Sequence, residues 1–226
     1  TLTFAVNGIL NIGTFNLHLN SSATIVNAGA NRFFQTSGNA GDGGLSRTYS
    51  SNDPFVFPVG VAGRYTPATI GFTASPATYG SVSVIPVDYE HPVTTVNGQS
   101  LTYFWRVKSS GFSGIPVYSV THAFIYDESD ASGSDANYIP ALYDGVAKVW
   151  YIGQEADVNK STNTVNDWTA PTNSTNFIDA DYTAGRAASF GTPRIYYSRQ
   201  SGLWSSNSTW SLSGHTVDNL PASPPG

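Results

Sequence analysis

The chain of 226 residues lacks cysteine and methionine altogether, and charged residues make up only 11% of it. Without cysteine, a disulfide-stapled fold, a thiolate zinc site and a cysteine nucleophile are excluded. Because a complete translation product begins with methionine, the absence of Met predicts a processed chain or an internal part of a longer polypeptide. Long charged helix surfaces are almost excluded too, since they need many lysines and the chain has three.

The charge balance is acidic, with 10 Lys and Arg against 15 Asp and Glu and a net charge of −5. A basic face for nucleic acid is therefore not expected. No apolar run approaches the roughly 18 residues that a membrane-spanning helix needs, so we expect no membrane insertion. Abundant Ser, Thr, Asn and Gly with few charges is typical of an extracellular β protein.

What the chain does contain is short-period alternation of apolar and polar residues. Leu2, Phe4 and Val6 share one parity, and Leu101, Tyr103, Trp105 and Val107 share another. Turn signals arrive every eight to twelve residues, and no 12-residue window shows a helical period. This pattern predicts an all-β fold built on an antiparallel β-sandwich.

We expect three segments along the chain. Residues 1–53 are predicted to form a β-solenoid-like or hairpin element, and the sequence leaves these two alternatives open. Residues 54–197 are predicted to be the β-sandwich, with a polar loop over 153–176 and short strands at 177–182 and 187–190. Residues 198–226 are predicted to begin a following module or to be a linker.

Several motifs of this chain occur together in a known kind of protein. They are the runs at 31–36, 55–60, 65–70, 101–107 and 110–114, followed by Ser201-Gly202-Leu203-Trp204 and Thr209-Trp210-Ser211. Together they resemble repeat segments of very large, adhesin-like cell-surface proteins of the Bacteroidota that are secreted by the type-nine pathway. The resemblance implies a solenoid-like stretch before a β-sandwich, with the tryptophan motif opening the next solenoid stretch. It implies an extracellular structural or filament role and very little chemistry.

The acidic stretch from Asp127 to Asp135 is the best candidate for a metal site. Calcium takes six to eight oxygen ligands, and Asp127, Asp130 and Asp135 alternate with Ser and Gly in one loop. The spacing of an EF-hand is not met, so a solvated loop is the favoured alternative. Asp179 and Asp181 share one strand parity and would complete such a site if their strand lies nearby.

The five tryptophans raise the hypothesis of sugar binding, because flat exposed aromatic rings stack on sugars. Trp168, in the polar loop, is the predicted ligand-binding residue, whereas Trp105 and Trp150 are predicted core residues. Trp204 and Trp210 are expected to pack between modules, as are Leu2 and Phe4 near the start of the chain.

No catalytic motif is found. The histidines show no metal-binding spacing, and His122 is expected to be a half-buried, hydrogen-bonded residue. The G-x-S-x-G element of many hydrolases is absent. A secreted hydrolase of polysaccharide or peptide is therefore the least favoured function.

The sequence as a whole favours a non-catalytic structural or adhesive module of an extracellular cell-surface repeat protein. Its expected partners are neighbouring modules of the same or an identical chain, and calcium is the one candidate cofactor. The alternative is a calcium-assisted carbohydrate-binding module that binds surface glycans.

Overall fold

The computed structural model describes residues 1–166, 178–191, 197–211 and 215. The fold is all-β, as the alternation predicts, and the helices of the described part are single 3-10 turns at Glu128–Asp130, Glu155–Asp157, Ala187–Phe190 and Asn207–Thr209. None of the described helices has the length and apolar character needed to cross a membrane. Contacts divide the chain into two compact units, Thr1–Gly191 and Thr192–Gly226. The bounds of the three segments expected from the sequence stay a prediction.

The strands described in the first unit are short and follow one another closely. They are β1 (Leu2–Thr3), β2 (Leu10–Gly13), β3 (Asn16–Leu19), β4 (Ile25–Val26), β5 (Phe34–Thr36), β6 (Gly44–Thr48), β7 (Phe55–Phe57), β8 (Val59–Val61), β9 (Arg64–Tyr65), β10 (Ala68–Phe72), β11 (Ser81–Val87), β12 (Phe104–Ser110), β13 (Val120–Ile125), β14 (Ile139–Asp144), β15 (Val149–Ile152), β16 (Val158–Asn159), β17 (Thr164–Asn166) and β18 (Ala180–Gly185).

The first six strands form two stacked coils of a parallel β-solenoid. Strand β1 pairs in parallel with β4, β2 with β5, and β3 with β6. Leu2 lies beside Ile25, Leu10 beside Phe34 and Leu17 beside Leu45, so one coil takes 23 to 28 residues. Of the two alternatives left open by the sequence, the structure therefore contains the solenoid.

A third rung continues one face of this solenoid. Strand β8 pairs in parallel with β5, and Val59 lies beside Phe34. Pro58 separates β8 from β7, which belongs to a different sheet. The run 55–60 thus forms two strands, because proline cannot continue a ladder through its nitrogen.

The β-sandwich consists of a five-stranded and a seven-stranded sheet. Their orders are β16-β17-β13-β10-β7 and β15-β14-β18-β12-β11-β6-β3. The inner faces meet through aromatic rings: Phe124 of β13 lies 5.0 Å from Trp105 and 4.7 Å from Tyr182, measured between ring centroids. All three rings are fully buried, which confirms Trp105 as a core residue.

Strand β6 belongs to both architectures. On one side it pairs in parallel with β3 of the solenoid, and on the other it pairs antiparallel with β11 of the sandwich. Leu45 of β6 is fully buried in the same apolar cluster as Phe34 and Trp105. Solenoid and sandwich therefore share one hydrophobic core.

Two local predictions are wrong. The polar stretch 153–176 was expected to be a loop, but its described part holds β16 and β17, which extend the five-stranded sheet. Residues Ala187–Phe190 form a 3-10 turn instead of a strand. In this turn the centroid of the buried Phe190 ring lies 4.9 Å from that of Trp150. The segment is therefore held by packing of an aromatic side chain and not by pairing with another strand.

The second unit is a small hairpin in its described part. Strands β19 (Tyr197–Ser198) and β20 (Trp210–Ser211) pair antiparallel. The intervening loop is held by the amide of Arg199, which donates to the carbonyl of Thr209 at 2.9 Å. The Thr209 hydroxyl donates to the carbonyl of Leu203, also at 2.9 Å.

Candidate functional site

The first solenoid coil leaves an open end. In the described part of the chain, β1, β2 and β3 each have a strand partner on one side, and each partner belongs to the second coil. The other edges of these three strands therefore lie on the side away from the second coil. The Leu2 amide donates to Thr24 and the Phe4 amide to Val26, so the backbone of Thr3 between them points outward.

Burial along one column of side chains shows what this end lacks. Leu10, Phe34 and Val59 occupy matching positions on successive rungs. Phe34 and Val59 are fully buried, whereas Leu10 is 44% exposed. Each inner residue is covered by the rung before it, and Leu10 has no such cover.

The connections between the strands of the first coil expose further apolar side chains. Val6 and Phe15 of the same coil are 74% and 78% exposed. Exposed strand edges in natural proteins are normally guarded by charged residues, especially lysine, or by proline. Residues 1–19 contain no Lys, Arg, Asp, Glu or Pro. The open end is therefore an uncharged template for strand addition.

The inter-module residues named from the sequence occupy different environments at this end. Leu2 lies on the open edge strand β1 and is half-buried. Phe4 is buried, and its ring packs against the ring of Phe34 at 5.7 Å. Leu2 therefore lies at the open edge, while Phe4 helps to close the core behind it.

The acidic loop uses its carboxylates internally. Asp127 accepts hydrogen bonds from the amide and hydroxyl of Ser129, which hold the pKa of Asp127 below its ordinary value. Asp135 accepts a 2.6 Å hydrogen bond from the hydroxyl of Tyr126. Across the described residues, no group of three His, Asp or Glu is arranged to hold a metal ion.

Asp130 is fully buried and forms an ion pair with Arg64, which also pairs with Asp88. Burial is the largest influence on the Asp130 carboxyl and raises its pKa, although Arg64 acts in the opposite direction. One carboxylate oxygen of Asp130, Oδ2, has no hydrogen-bond partner. Sequence reasoning missed this pair because Arg64 lies 66 residues away.

A second buried polar cluster was also missed. Asp181 of β18 accepts two 2.7 Å hydrogen bonds from Arg106 and one of 3.0 Å from Nε2 of His91. Burial alone would raise the pKa of Asp181, but the donors from Arg106 and His91 outweigh it, and the pKa is lowered. Asp179 caps the amide of Ser109 instead of joining this cluster.

Both ring nitrogens of His91 have hydrogen-bond partners within the protein. Its Nδ1 accepts from the amide of Val93 at 3.3 Å, which leaves the Nε2 proton directed to Asp181. The ring lies within 5.0 Å of the rings of Phe104, Tyr143 and Trp150. A histidine with both nitrogens occupied and 3% exposure has no nitrogen available for a substrate proton.

The remaining sequence candidates are placed as follows. His122 is half-buried, and its Nε2 lies 2.9 Å from the hydroxyl of Tyr182, as expected. Trp168 lies outside the described residues. Trp204 is 61% exposed, and its ring lies 4.8 Å from that of Trp210. The packing of these two rings between modules stays a prediction.

Comparison with known proteins adds no family to these observations. No family model, no curated protein and no solved structure matches the chain.

Proposed function

We propose that the chain is a non-catalytic structural or adhesive module of an extracellular cell-surface repeat protein, and that a neighbouring module stacks on its open solenoid end. The single observation that carries the proposal is the set of three outward edges on β1, β2 and β3. They lie on one coil, carry no charge and end a column of buried side chains at the exposed Leu10.

The stacking follows the geometry already present between the first two coils. A neighbouring coil would lie about 4.8 Å beyond the first one, the ordinary spacing of paired strands. It would take up outward groups such as the amide of Thr3 and would cover Leu10, just as Leu10 covers Phe34. Repeat proteins are stabilised by such nearest-neighbour contacts, and an end coil without a neighbour exposes apolar surface.

The polar clusters support a structural role over a catalytic one. His91, Asp181 and Arg106 bond mainly to one another, and the aspartates of the acidic loop bond to Ser129, Tyr126 and Arg64. Such clusters fix loops to strands. The low charge of the chain and the resemblance of its motifs to surface repeats support an extracellular location.

Calcium-assisted carbohydrate binding remains the alternative function. It depends on Asp127, Asp130 and Asp135 as ligands and on Trp168 as the sugar platform. In the described part of the chain the three aspartates have separate protein partners. The alternative is tested by calorimetric titration with calcium, in which binding lost on Asp130→Ala would favour it.

The stacking proposal is tested by adding a coil to the open end. A second copy of residues 1–23 is fused before Thr1, so that it repeats the 23-residue spacing between Leu2 and Ile25. We expect amide exchange at Thr3 to slow by roughly tenfold or more, because the added strand accepts or shields that group. Exchange is read by hydrogen–deuterium mass spectrometry with fragment resolution.

The matched control carries the same added residues with the copies of Leu2, Leu10 and Leu17 replaced by Asp. These charges would face the apolar columns and should prevent stacking. Slow exchange with the native copy and fast exchange with the control supports the proposal. Equal exchange at Thr3 in both fusions would show that the end does not accept a coil.

A further inference from the structure

The second unit carries a shallow, solvent-open cavity that the stacking proposal does not use. Its volume is about 580 Å³, within the range of small-molecule sites. The lining includes the rings of Trp204 and Trp210 together with Arg199, Gln200, Ser201 and Thr209. All of these residues lie within 199–210, a stretch that follows β19 and ends at the first residue of β20.

Two tryptophan rings bound this cavity from different directions. Their planes meet at 76° with centroids 4.8 Å apart. The indole nitrogen of Trp210 donates to the carbonyl of Trp204 at 2.9 Å, which fixes the relative position of the two residues. Trp204 is 61% exposed, an unusual position for the largest apolar side chain.

The loop that carries Trp204 is built before any ligand arrives. A side chain at Gly202 would collide with the hydroxyl of Thr209, so the backbone approaches Thr209 as only glycine allows. Thr209 is 5% exposed and its hydroxyl donates to Leu203. A preformed loop spares a ligand the cost of ordering it.

The remaining lining supplies hydrogen-bonding groups of both kinds. Gln200 offers donors and an acceptor, and Ser201 offers a hydroxyl. Residues 197–211 contain no Asp or Glu, so an anionic ligand group would meet no like charge within this stretch. An aromatic face beside such a polar rim matches a ligand with one apolar face and an edge of hydroxyls.

We propose that this cavity binds a pyranose unit of a glycan, with the sugar ring stacked on the exposed Trp204 and its hydroxyls bonded to Gln200 and Ser201. The site needs no calcium, and its described lining comes from the second unit. It gives the module a point of attachment to polysaccharide that does not depend on stacking.

The proposal is tested with the full chain by isothermal titration calorimetry against defined oligosaccharides. The neutral probes are hexasaccharides of glucose, mannose and N-acetylglucosamine, and the acidic probe is hexagalacturonic acid. At least one probe is expected to bind without added calcium. Trp204→Ala should weaken that binding tenfold or more, whereas Leu203→Ala, at a 75% exposed neighbour, should leave it unchanged.

Two further variants distinguish the loss of a binding group from unfolding of the second unit. Trp204→Phe keeps a smaller stacking face and should bind between wild type and Trp204→Ala. Gln200→Ala keeps both rings and should weaken binding severalfold. Binding of a neutral or an acidic oligosaccharide, with affinities of the variants in this order, supports the proposal and identifies which sugars are bound. Absence of binding to every probe, or binding that Trp204→Ala does not change, would overturn it and leave Trp204 with the packing role.

Discussion

The cluster of Asp181, Arg106 and His91 allows a quantitative prediction for Asp181→Asn. The carboxylate accepts three hydrogen bonds, two of 2.7 Å from Arg106 and one of 3.0 Å from His91. Asparagine keeps one oxygen and turns an amide group toward donors. The substitution therefore breaks the ion pair and leaves at least one donor of Arg106 or His91 facing another donor.

The expected cost follows from burial. Removing one partner of a buried ion pair costs about 3–5 kcal/mol. The Arg106 side chain is 30% exposed, so water compensates it in part, and we expect a loss of about 2–3 kcal/mol in the free energy of unfolding. For a unit of this size that corresponds to a fall of about 5–10 °C in Tm.

The pH dependence has a definite sign. The pKa of Asp181 is lower in the folded protein than in the unfolded chain, so its carboxylate stabilises the fold at pH values above its unfolded pKa of about 3.9. This stabilisation is lost as the pH falls through the lowered folded pKa. Asparagine does not titrate, so the stability difference between wild type and Asp181→Asn should be large at neutral pH and shrink in acid. Urea unfolding followed by tryptophan fluorescence at several pH values measures it.

Asp130→Asn is the matched comparison, since Asp130 is also buried and paired with an arginine. The pKa of Asp130 is raised in the folded protein. Its contribution to folding stability is therefore complete below its unfolded pKa and is lost as the pH rises through the folded pKa. Arg64 keeps Asp88 after the change, and we expect a cost below about 1 kcal/mol at neutral pH. An equal cost for the two variants, or a difference for Asp181→Asn that persists in acid, would refute the reasoning.

Three further predictions concern packing, and each is checked by urea unfolding. Phe34→Ala should cost about 3–5 kcal/mol, because the ring is fully buried, while Leu10→Ala in the same column should cost less than half as much. Gly44→Ala should cost more than Gly63→Ala: both have positive φ, but only Gly44 would collide with the carbonyl of Val84. Tyr126→Phe should cost about 1 kcal/mol through loss of its hydrogen bond to Asp135, and a cost near zero would show that Asp135 is hydrated there instead.

Much of the fold could be predicted because alternation records which side chains are buried. In the strand Ser81–Val87, for example, Val82 and Val84 are buried beside partly buried serines. Val120, Phe124 and Tyr126, which share one parity, are also buried. Alternation does not record the partner of a strand or its direction. Leu2 with Val6 fits a hairpin and a solenoid equally, and only the pairing of Leu2 with Ile25 distinguishes them.

The polar clusters could not be predicted for a different reason. A buried carboxylate and a solvated one look alike in a sequence, and the difference lies in a distant cation. Asp181 meets Arg106 across 75 residues and His91 across 90. The exposed surface of Trp204 likewise depends on a loop closed by Gly202 and Thr209, whereas the sequence motif alone suggested packing.

Strand β6, shared between solenoid and sandwich, determines how the first unit responds to force. Load applied at the first coil meets parallel rungs that open one after another, each releasing 23 to 28 residues of chain. The peeling reaches β6, whose far side is bonded to β11 along four residues. Further extension must then disrupt the aromatic core, so the solenoid acts as an extensible segment in series with a stiff anchor.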